Sequence, residues 1–506
     1  MGAVLPKSVV RRLRKAAGQA LSNEASAEPD RGPAPEAPAA VVSGTATGSS
    51  HASQPNRPRP EQGAHLRPQV GDPPRIYPRD SHCLSRKDIS EPALKVLYRL
   101  HKSGFRGCLV GGGVRDVLLG LHPKDFDVAT DAHPEDVEAL FRNCRLIGRR
   151  FRLAHVRFGP EIVEVATFRA GHDSEQRVEN EAGRLLRDNV YGTLEDDVWR
   201  RDFTVNALYY DIADFSIIDY VGGMADLEAR QLRMLGDPEQ RYREDPVRML
   251  RAVRLAEKLD FEIEAETRAP IPELAYLLGD IAPARLFDEC CKLFQAGAAA
   301  RTLAGLRRLH LFGELFPATE NVLATDGHEK LAALLEVALT NTDRRVAEGL
   351  PITPAFLFAA LLWPAFRVTL DALLADGVKP FEAYDAAADA VIAQAVQRVA
   401  LPRRFSLMTR EIWVLQHRLE NRERKRVQRL VEMKRFRAAY DFLVMRSEVG
   451  DADPELAHWW TEFQTLDAEA QVVAAGALDH AETPDAPAKK RRRRRRPRRR
   501  PRAETG

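Results

Sequence analysis

From residue 90 to residue 168 the apolar positions change period several times, and each change marks an element. Ser90 can cap a helix whose first turn holds Glu91 and Pro92, whose apolar face is Leu94, Leu97 and Leu100, and which Gly104 can end. A short apolar strand follows at Cys108–Val110, then the turn Gly111-Gly112-Gly113 and a helix of one to two turns. A second strand contains Asp125-Phe126-Asp127-Val128-Ala129-Thr130. A helix from Pro134 to Arg142 leads to two strands, Arg152–Phe158 and Ile162–Phe168, joined by the hairpin-type turn Gly159-Pro160. This order predicts a small α/β unit with a mixed sheet. From Pro270 to about residue 470 the spacing is almost entirely helical, with Pro283–Phe294 amphipathic and Arg424–Phe442 amphipathic and basic. The fold class expected is therefore α+β: a mixed-sheet unit followed by an all-helical remainder.

Composition changes this picture at the two ends. Residues 1–75 are rich in Ala, Pro, Gly, Ser and Glu and read as a disordered arm, as do residues 471–506 as a tail. Pro6–Leu21 has the spacing of a short basic amphipathic helix but lacks the apolar core of a secretory signal. The chain has 506 residues, enough for two or three domains, and no apolar run of membrane-spanning length. Its five cysteines form no Cys-x-x-Cys pair, which fits a reducing cytoplasm and neither a zinc site nor a disulfide framework. The net charge of +3 hides a segregation: residues 489–502 hold twelve positive and no negative charges, leaving the rest at −9. A basic tail on an acidic body points to a polyanionic partner.

The candidate chemistry centres on residues 108–130. Residues i and i+2 of a strand share a face, so Asp125 and Asp127 point the same way, beside a glycine turn whose backbone N–H groups can hold phosphate oxygens. That is the arrangement a divalent metal with a nucleoside triphosphate requires. Glu164, the one ionisable side chain in Ile162–Phe168, is expected to contact the metal, a salt bridge to Arg169 or Arg152 being the plainer reading. Further along, Arg200, Arg201, Asp202 and Asn206 stand against an apolar stretch, the arginines as triphosphate donors. Glu244 or Asp245 begins a helix with Pro246 in its first turn, and Arg248, Arg251 and Arg254 recur along a face that would meet nucleotide or RNA. Two basic clusters, 422–426 and 434–437, are RNA-binding candidates and equally ordinary solvated helix faces.

Four segments in order, Gly111-Gly-Gly-Val-Arg-Asp116, Asp125-Phe-Asp127, Arg200-Arg-Asp-Phe-Thr-Val-Asn-Ala207 and Glu244-Asp-Pro-Val-Arg248, resemble the motifs of the class II nucleotidyltransferases. That family comprises bacterial poly(A) polymerases and CCA-adding enzymes. Ser85–Glu91, Arg142–Val156, Phe436–Leu443 and the arginine tail resemble the poly(A) polymerase branch. The resemblance implies a catalytic nucleotidyltransferase head at 76–225, a helical neck at 226–300 and an RNA-holding body and leg at 301–470. It implies Asp125 and Asp127 as catalytic metal ligands, with two Mg²⁺ ions expected, and Asp202 as a further catalytic acid. Gly111, Gly112, Arg115 and an arginine of the 200–201 pair would contact the triphosphate of ATP, and Asn206 would belong to the same nucleotide site. Asp245 and Arg248 would face the base, with Arg251 nearby. Whether Glu164 or Asp202 completes the metal site stays open. The implied reaction is template-independent addition of AMP from ATP to RNA 3′ ends with release of pyrophosphate, serving RNA processing and decay. Asp245 and Arg248 suit cytosine as well as adenine, so CCA addition to tRNA is the alternative. A non-catalytic RNA-binding protein on the same fold is a third reading.

Overall fold

The computed structural model describes residues 68–148, 152–170, 178–179, 185–187, 190–422 and 424–481, and for 178–179, 185–187, 424–426 and 476–481 the backbone alone. Pro6–Leu21, most of the 171–190 loop and the arginine tail lie outside these residues.

The glycine turn is built into the middle of an eight-stranded mixed sheet. Its strands are β1 (Arg75–Tyr77), β2 (Gly107–Val110), β3 (Asp127–Thr130), β4 (Cys144–Ile147), β5 (Leu153–Phe158), β6 (Glu161–Thr167), β9 (Tyr209–Asp211) and β10 (Ile217–Asp219). A separate two-stranded ribbon, β7 (Val178–Glu179) with β8 (Leu185–Arg187), lies between them in sequence. The sheet order is β1-β10-β9-β2-β3-β6-β5-β4, with β3 antiparallel to β2 and parallel to β6. Four helices belong to this part: α1 (Glu91–Lys102), α2 (Gly112–Leu118), α3 (Pro134–Leu140) and α4 (Leu194–Trp199). Ser90 caps α1 by accepting from the Ala93 N–H at 3.4 Å.

Strand β2 reads Gly-Cys-Leu-Val without polar alternation because both faces of the sheet are covered there. Leu109 and Val128 pack in one cluster with Val96, Leu97 and Leu100 of α1. Cys108, Val110 and Ala129 pack on the other side with Leu194 and Val198 of α4 and with Tyr209. The functional turn therefore leaves a strand that has little freedom to shift.

After β10 the chain is nearly all helical. It runs through α5 (Pro238–Glu244), α6 (Val247–Leu259) and α7 (Pro283–Phe294) to a last helix at Ala468–Ala481. Trp363, Trp413 and Trp460 are fully buried in this part. The indoles of Trp413 and Trp460 donate to the Ala359 and Leu419 carbonyls at 3.1 and 3.0 Å, so their polar edges are satisfied. Among the described residues no single helix is long and apolar enough to cross a membrane. The bent pair Pro354–Leu361 and Trp363–Ala375 passes by composition, but Phe358, Trp363 and Phe366 are core residues.

Several boundaries differ from the sequence reading. Asp125 lies just before β3, not on it, because pairing with β2 and with β6 begins at Asp127. The expected helix start at Glu244 or Asp245 is a junction: α5 ends at Glu244, Asp245 is extended, and Pro246 opens α6. The basic segment Arg424–Phe442 is two helices, Arg424–Val431 and Phe436–Glu448. Helical structure continues to Ala481, so the tail begins later than residue 471.

Candidate active site

Gly111 has φ +76°, in the region that L side chains rarely adopt, and this lets the chain turn sharply from β2 into α2. A Cβ on Gly111 would lie 3.6 Å from Arg201 Nη1 and 3.8 Å from Asp127 Oδ2, so the turn, an arginine and an acid converge on one point. Gly113 allows a second close approach. A Cβ there would stand 3.0 Å from the Phe126 ring and 3.4 Å from the Asp125 carbonyl oxygen. The segment carrying Asp125 and Asp127 is thus laid directly against the turn.

Asp127 is the register partner of Glu164 across the parallel pair β3 and β6. The protein packed around Asp127 and the neighbouring Glu164 and Asp125 carboxylates push its carboxyl up to about 6, against the opposing pull of Arg201. Acids that repel one another in this way fit a hard divalent cation, which removes the repulsion. Among the described residues no group of three or more His, Cys, Asp or Glu side chains gathers as a complete metal cage. Two carboxylates are nevertheless a usual protein share for magnesium, with substrate phosphates supplying further oxygens. The premise behind Glu164 as a ligand is corrected: its side chain is 50% exposed and sits 3.3 Å from His155 Nε2. Arg152 pairs with Glu135.

Of the arginine pair, Arg201 faces the turn and Arg200 donates to the Ala170 carbonyl at 3.0 Å. Arg201 is held by two groups that the sequence reading did not single out. Its Nη2 donates to Asp197 at 3.0 Å and its Nε to the Tyr209 hydroxyl at 2.7 Å, while that hydroxyl donates to Asp197 at 2.5 Å. Burial works against the Arg201 charge, but Tyr209 and Asp197 outweigh it and keep the guanidinium protonated.

A buried chain of polar groups runs behind the turn. Arg115 donates through Nε and Nη2 to Asp116 Oδ1, at 2.8 and 2.5 Å, and through Nη1 to Asn206 Oδ1 at 2.5 Å. Asn206 Nδ2 donates to Asp202 Oδ1 at 3.1 Å, and Asp202 also accepts from the Phe203 N–H at 2.9 Å. Arg251 Nη2 closes the chain 2.6 Å from Asp202 Oδ2. Burial would raise the Asp202 carboxyl, but Arg251, Asn206 and the Phe203 N–H together hold it below the ordinary carboxylate value. Asp202 is thus occupied by this network.

The start of α6 is equally fixed. Arg248 Nη1 donates to the Arg241 carbonyl at 2.7 Å and to Glu244 at 2.9 Å, and Asp245 lies 2.7 Å from Arg285 Nη2 on α7. Buried Arg241 donates to the Arg200 and Arg201 carbonyls at 3.0 and 2.6 Å, joining α5 to the Arg-Arg-Asp segment. Arg254, one turn beyond Arg251, is half-buried with no acceptor for its Nε. Burial and the Arg251 charge lower its pKa against the opposing pull of Glu289 and Asp202. Arg254 was legible in sequence as the third member of the arginine face expected to meet nucleotide or RNA; Arg285 carried no role there.

Comparison with known proteins agrees with this geometry. Residues 108–233 match the family model of the poly A polymerase head domain, 260–323 that of the probable RNA and SrmB-binding site of polymerase A, and 376–500 that of the polymerase A arginine-rich C-terminus. The poly(A) polymerase I of Salmonella typhimurium is 50% identical over 439 residues, covering 85% of this chain and 93% of that protein. The CCA-adding enzyme of Bacillus licheniformis is 36% identical over 229 residues, 45% of this chain and 56% of that enzyme. A crystal structure of the Bacillus stearothermophilus CCA-adding enzyme in complex with CTP shares the fold, with a TM-score of 0.53 at 24% identity over 79% of this chain and 90% of that one.

Proposed function

This chain belongs to the poly(A) polymerase family of nucleotidyltransferases, and from that premise and the cleft geometry we propose that it adds AMP from ATP to RNA 3′ ends without a template. The observation that carries the reading is the convergence of Asp127, Arg201 and the Gly111 turn on one point, backed by the network from Asp116 to Arg251. Binding alone would not need repelling acids beside a phosphate-sized turn.

Asp125 and Asp127 would hold magnesium, which when bound supplies charge neutralisation at the phosphates and activation of the attacking hydroxyl. The backbone N–H groups of the glycine turn and the Arg201 guanidinium hold the phosphates in line. Arg251 and Arg254 supply further positive charge along the nucleotide, and Asp245 with Arg248 meets the edge of the base. The RNA 3′ hydroxyl attacks the α-phosphate, its oxygen–phosphorus bond forms as the bond to pyrophosphate breaks, and RNA leaves one adenylate longer. The N-terminal sheet unit is the catalytic head, the helical remainder and the basic tail hold RNA, and a cytoplasmic setting fits the free cysteines.

The test is extension of a generic RNA, or of a tRNA lacking its CCA end, with Mg²⁺ and each nucleoside triphosphate singly. Long adenylate tails on generic RNA from ATP alone are expected. Limited addition of C and A confined to tRNA, or no addition, overturns the reading.

A further inference from the structure

A cavity of about 570 Å³ opens in the helical part, far along the chain from the acids and the glycine turn. Its walls come from the start of helix Pro380–Val399, the end of helix Arg403–Glu420 and helix Arg424–Val431. Phe381 and Met433 both line it and are 50% and 39% exposed. The His417 ring forms a wall backed by Tyr384, with ring centroids 5.1 Å apart. Arg418 and Arg429 also line it, both exposed, with Asn421 and Leu430. No acidic residue lines the cavity among the described residues. Glu420, two residues from Arg418, is turned away: it accepts from Tyr384 Oη at 3.0 Å and from buried Arg446 Nη1 at 2.9 Å, while the exposed Glu382 and Glu432 adjoin Phe381 and Met433 in sequence without lining the cavity.

This lining differs from that of the second basic cluster. There a cavity of about 760 Å³ includes Arg435 and Arg437, but these are matched by Glu411 at 3.2 Å and Asp441 at 2.9 Å. Glu348, Asp441 and Glu448 also line it, so acids stand among its cations. In the smaller cavity an apolar floor with an exposed aromatic ring lies beside two guanidinia and no acid. A flat apolar ring with anionic groups at its edges is the complementary shape, which is the chemistry of a nucleotide in a single strand.

We propose that this pocket takes one unstacked base of the RNA substrate against Phe381, with Arg418 and Arg429 on the adjoining phosphates. It rests on the reading of RNA as substrate and adds a place where the strand is held away from the reacting end. Such a contact anchors the RNA between additions without touching ATP.

The test measures binding of a fluorescent single-stranded adenylate 20-mer to the full chain by anisotropy, without ATP. Phe381→Ala is expected to weaken binding by roughly five- to a hundredfold, the range for loss of one base–aromatic stack. Phe381→Trp should stay within about twofold of wild type, since stacking tolerates any flat ring. Arg418→Ala with Arg429→Ala should reduce the salt slope of log affinity by about 1.4, near 0.7 for each lost phosphate contact on a single strand. In extension assays KM for RNA rises while KM for ATP and kcat at saturating RNA hold. Unchanged affinity and salt slope in the alanine variants overturns the proposal, as does equal loss in Phe381→Trp. Because binding is read without ATP, failure of polymerisation and failure of this pocket are told apart.

Discussion

Arg251 on α6 meets the buried carboxylate of Asp202 at 2.6 Å, and through that pair the helical part of the chain is tied to the sheet. The pair leads on through Asn206 and Arg115 to the helix that follows the glycine turn.

Removing the cation leaves Asp202 buried with only neutral donors. Arg251→Ala should cost about 2–4 kcal/mol, somewhat under the value for a fully buried pair because the Arg251 side chain is 41% exposed. Asp202 has a depressed folded pKa, so its contribution is full above the unfolded value of about 3.9 and is lost as pH falls through the folded one. In Arg251→Ala the folded value rises and this acid-dependent contribution is removed, so the variant melts lower than wild type near pH 7 and the difference narrows as pH falls. Calorimetry between pH 2.5 and 7 reads this directly, and a difference that does not change with pH would count against the pairing.

Asn206 is the only neutral link between two buried charged groups in this network, its oxygen facing Arg115 and its nitrogen facing Asp202. Asn206→Ala leaves a donor and an acceptor unsatisfied, at about 1–3 kcal/mol each. The loss should appear as a fall of roughly 10- to 100-fold in kcat/KM for ATP if part of it reaches the transition state. RNA affinity measured alongside should hold, since none of these groups is placed on the RNA path.

Metal-free protein should carry the signature of Asp127. A carboxyl whose folded pKa is raised to about 6 opposes folding increasingly as pH climbs from about 3.9 through that value. Asp127→Asn in EDTA should therefore raise the melting temperature at pH 7.5, and by a smaller amount near pH 5, where only part of the penalty is present. Glu164→Gln should act the same way but less, by lowering the Asp127 value. Differential scanning fluorimetry across this range checks both, and equal effects at the two pH values would contradict the repulsion.

Arg285 fixes Asp245 from another helix at 2.7 Å. Asp245 can accept from the exocyclic amine of adenine or cytosine, so base choice depends on how rigidly it is presented. Arg285→Ala should raise KM for ATP several-fold and increase incorporation of CMP relative to AMP in single-nucleotide extension. Stability should change by less than about 1 kcal/mol, because the Arg285 side chain is 45% exposed.

Much of the site is local in sequence and could be read there. Gly111–Gly113, the Asp125 and Asp127 spacing, and the break that Pro246 enforces are decided within a few residues. The burial of Glu164 was misjudged because Ile162 and Ala166 share its face and make Ile162–Thr167 look uniformly buried, whereas Val163, Val165 and Thr167 alone are. Asp197 and Arg201 stand four residues apart, a spacing that could have been read as a pair, whereas Asp245 with Arg285 left no periodic trace. An ion pair across 40 residues depends on how helices pack, and arginine or aspartate on a helix looks the same with or without a partner. The strands β9 and β10 were missed as sheet members because three-residue strands are too short to show alternation.

The central claim is that adenylate transfer occurs at Asp125 and Asp127. Its most direct test is single-turnover incorporation from α-labelled ATP into RNA by Asp125→Asn and Asp127→Asn, with RNA affinity measured on the same preparations. Each variant should lose at least about 10³ in rate, the several kcal/mol that metal-held charge stabilisation supplies, and keep wild-type RNA affinity. Extension at the wild-type rate by either variant would contradict the account.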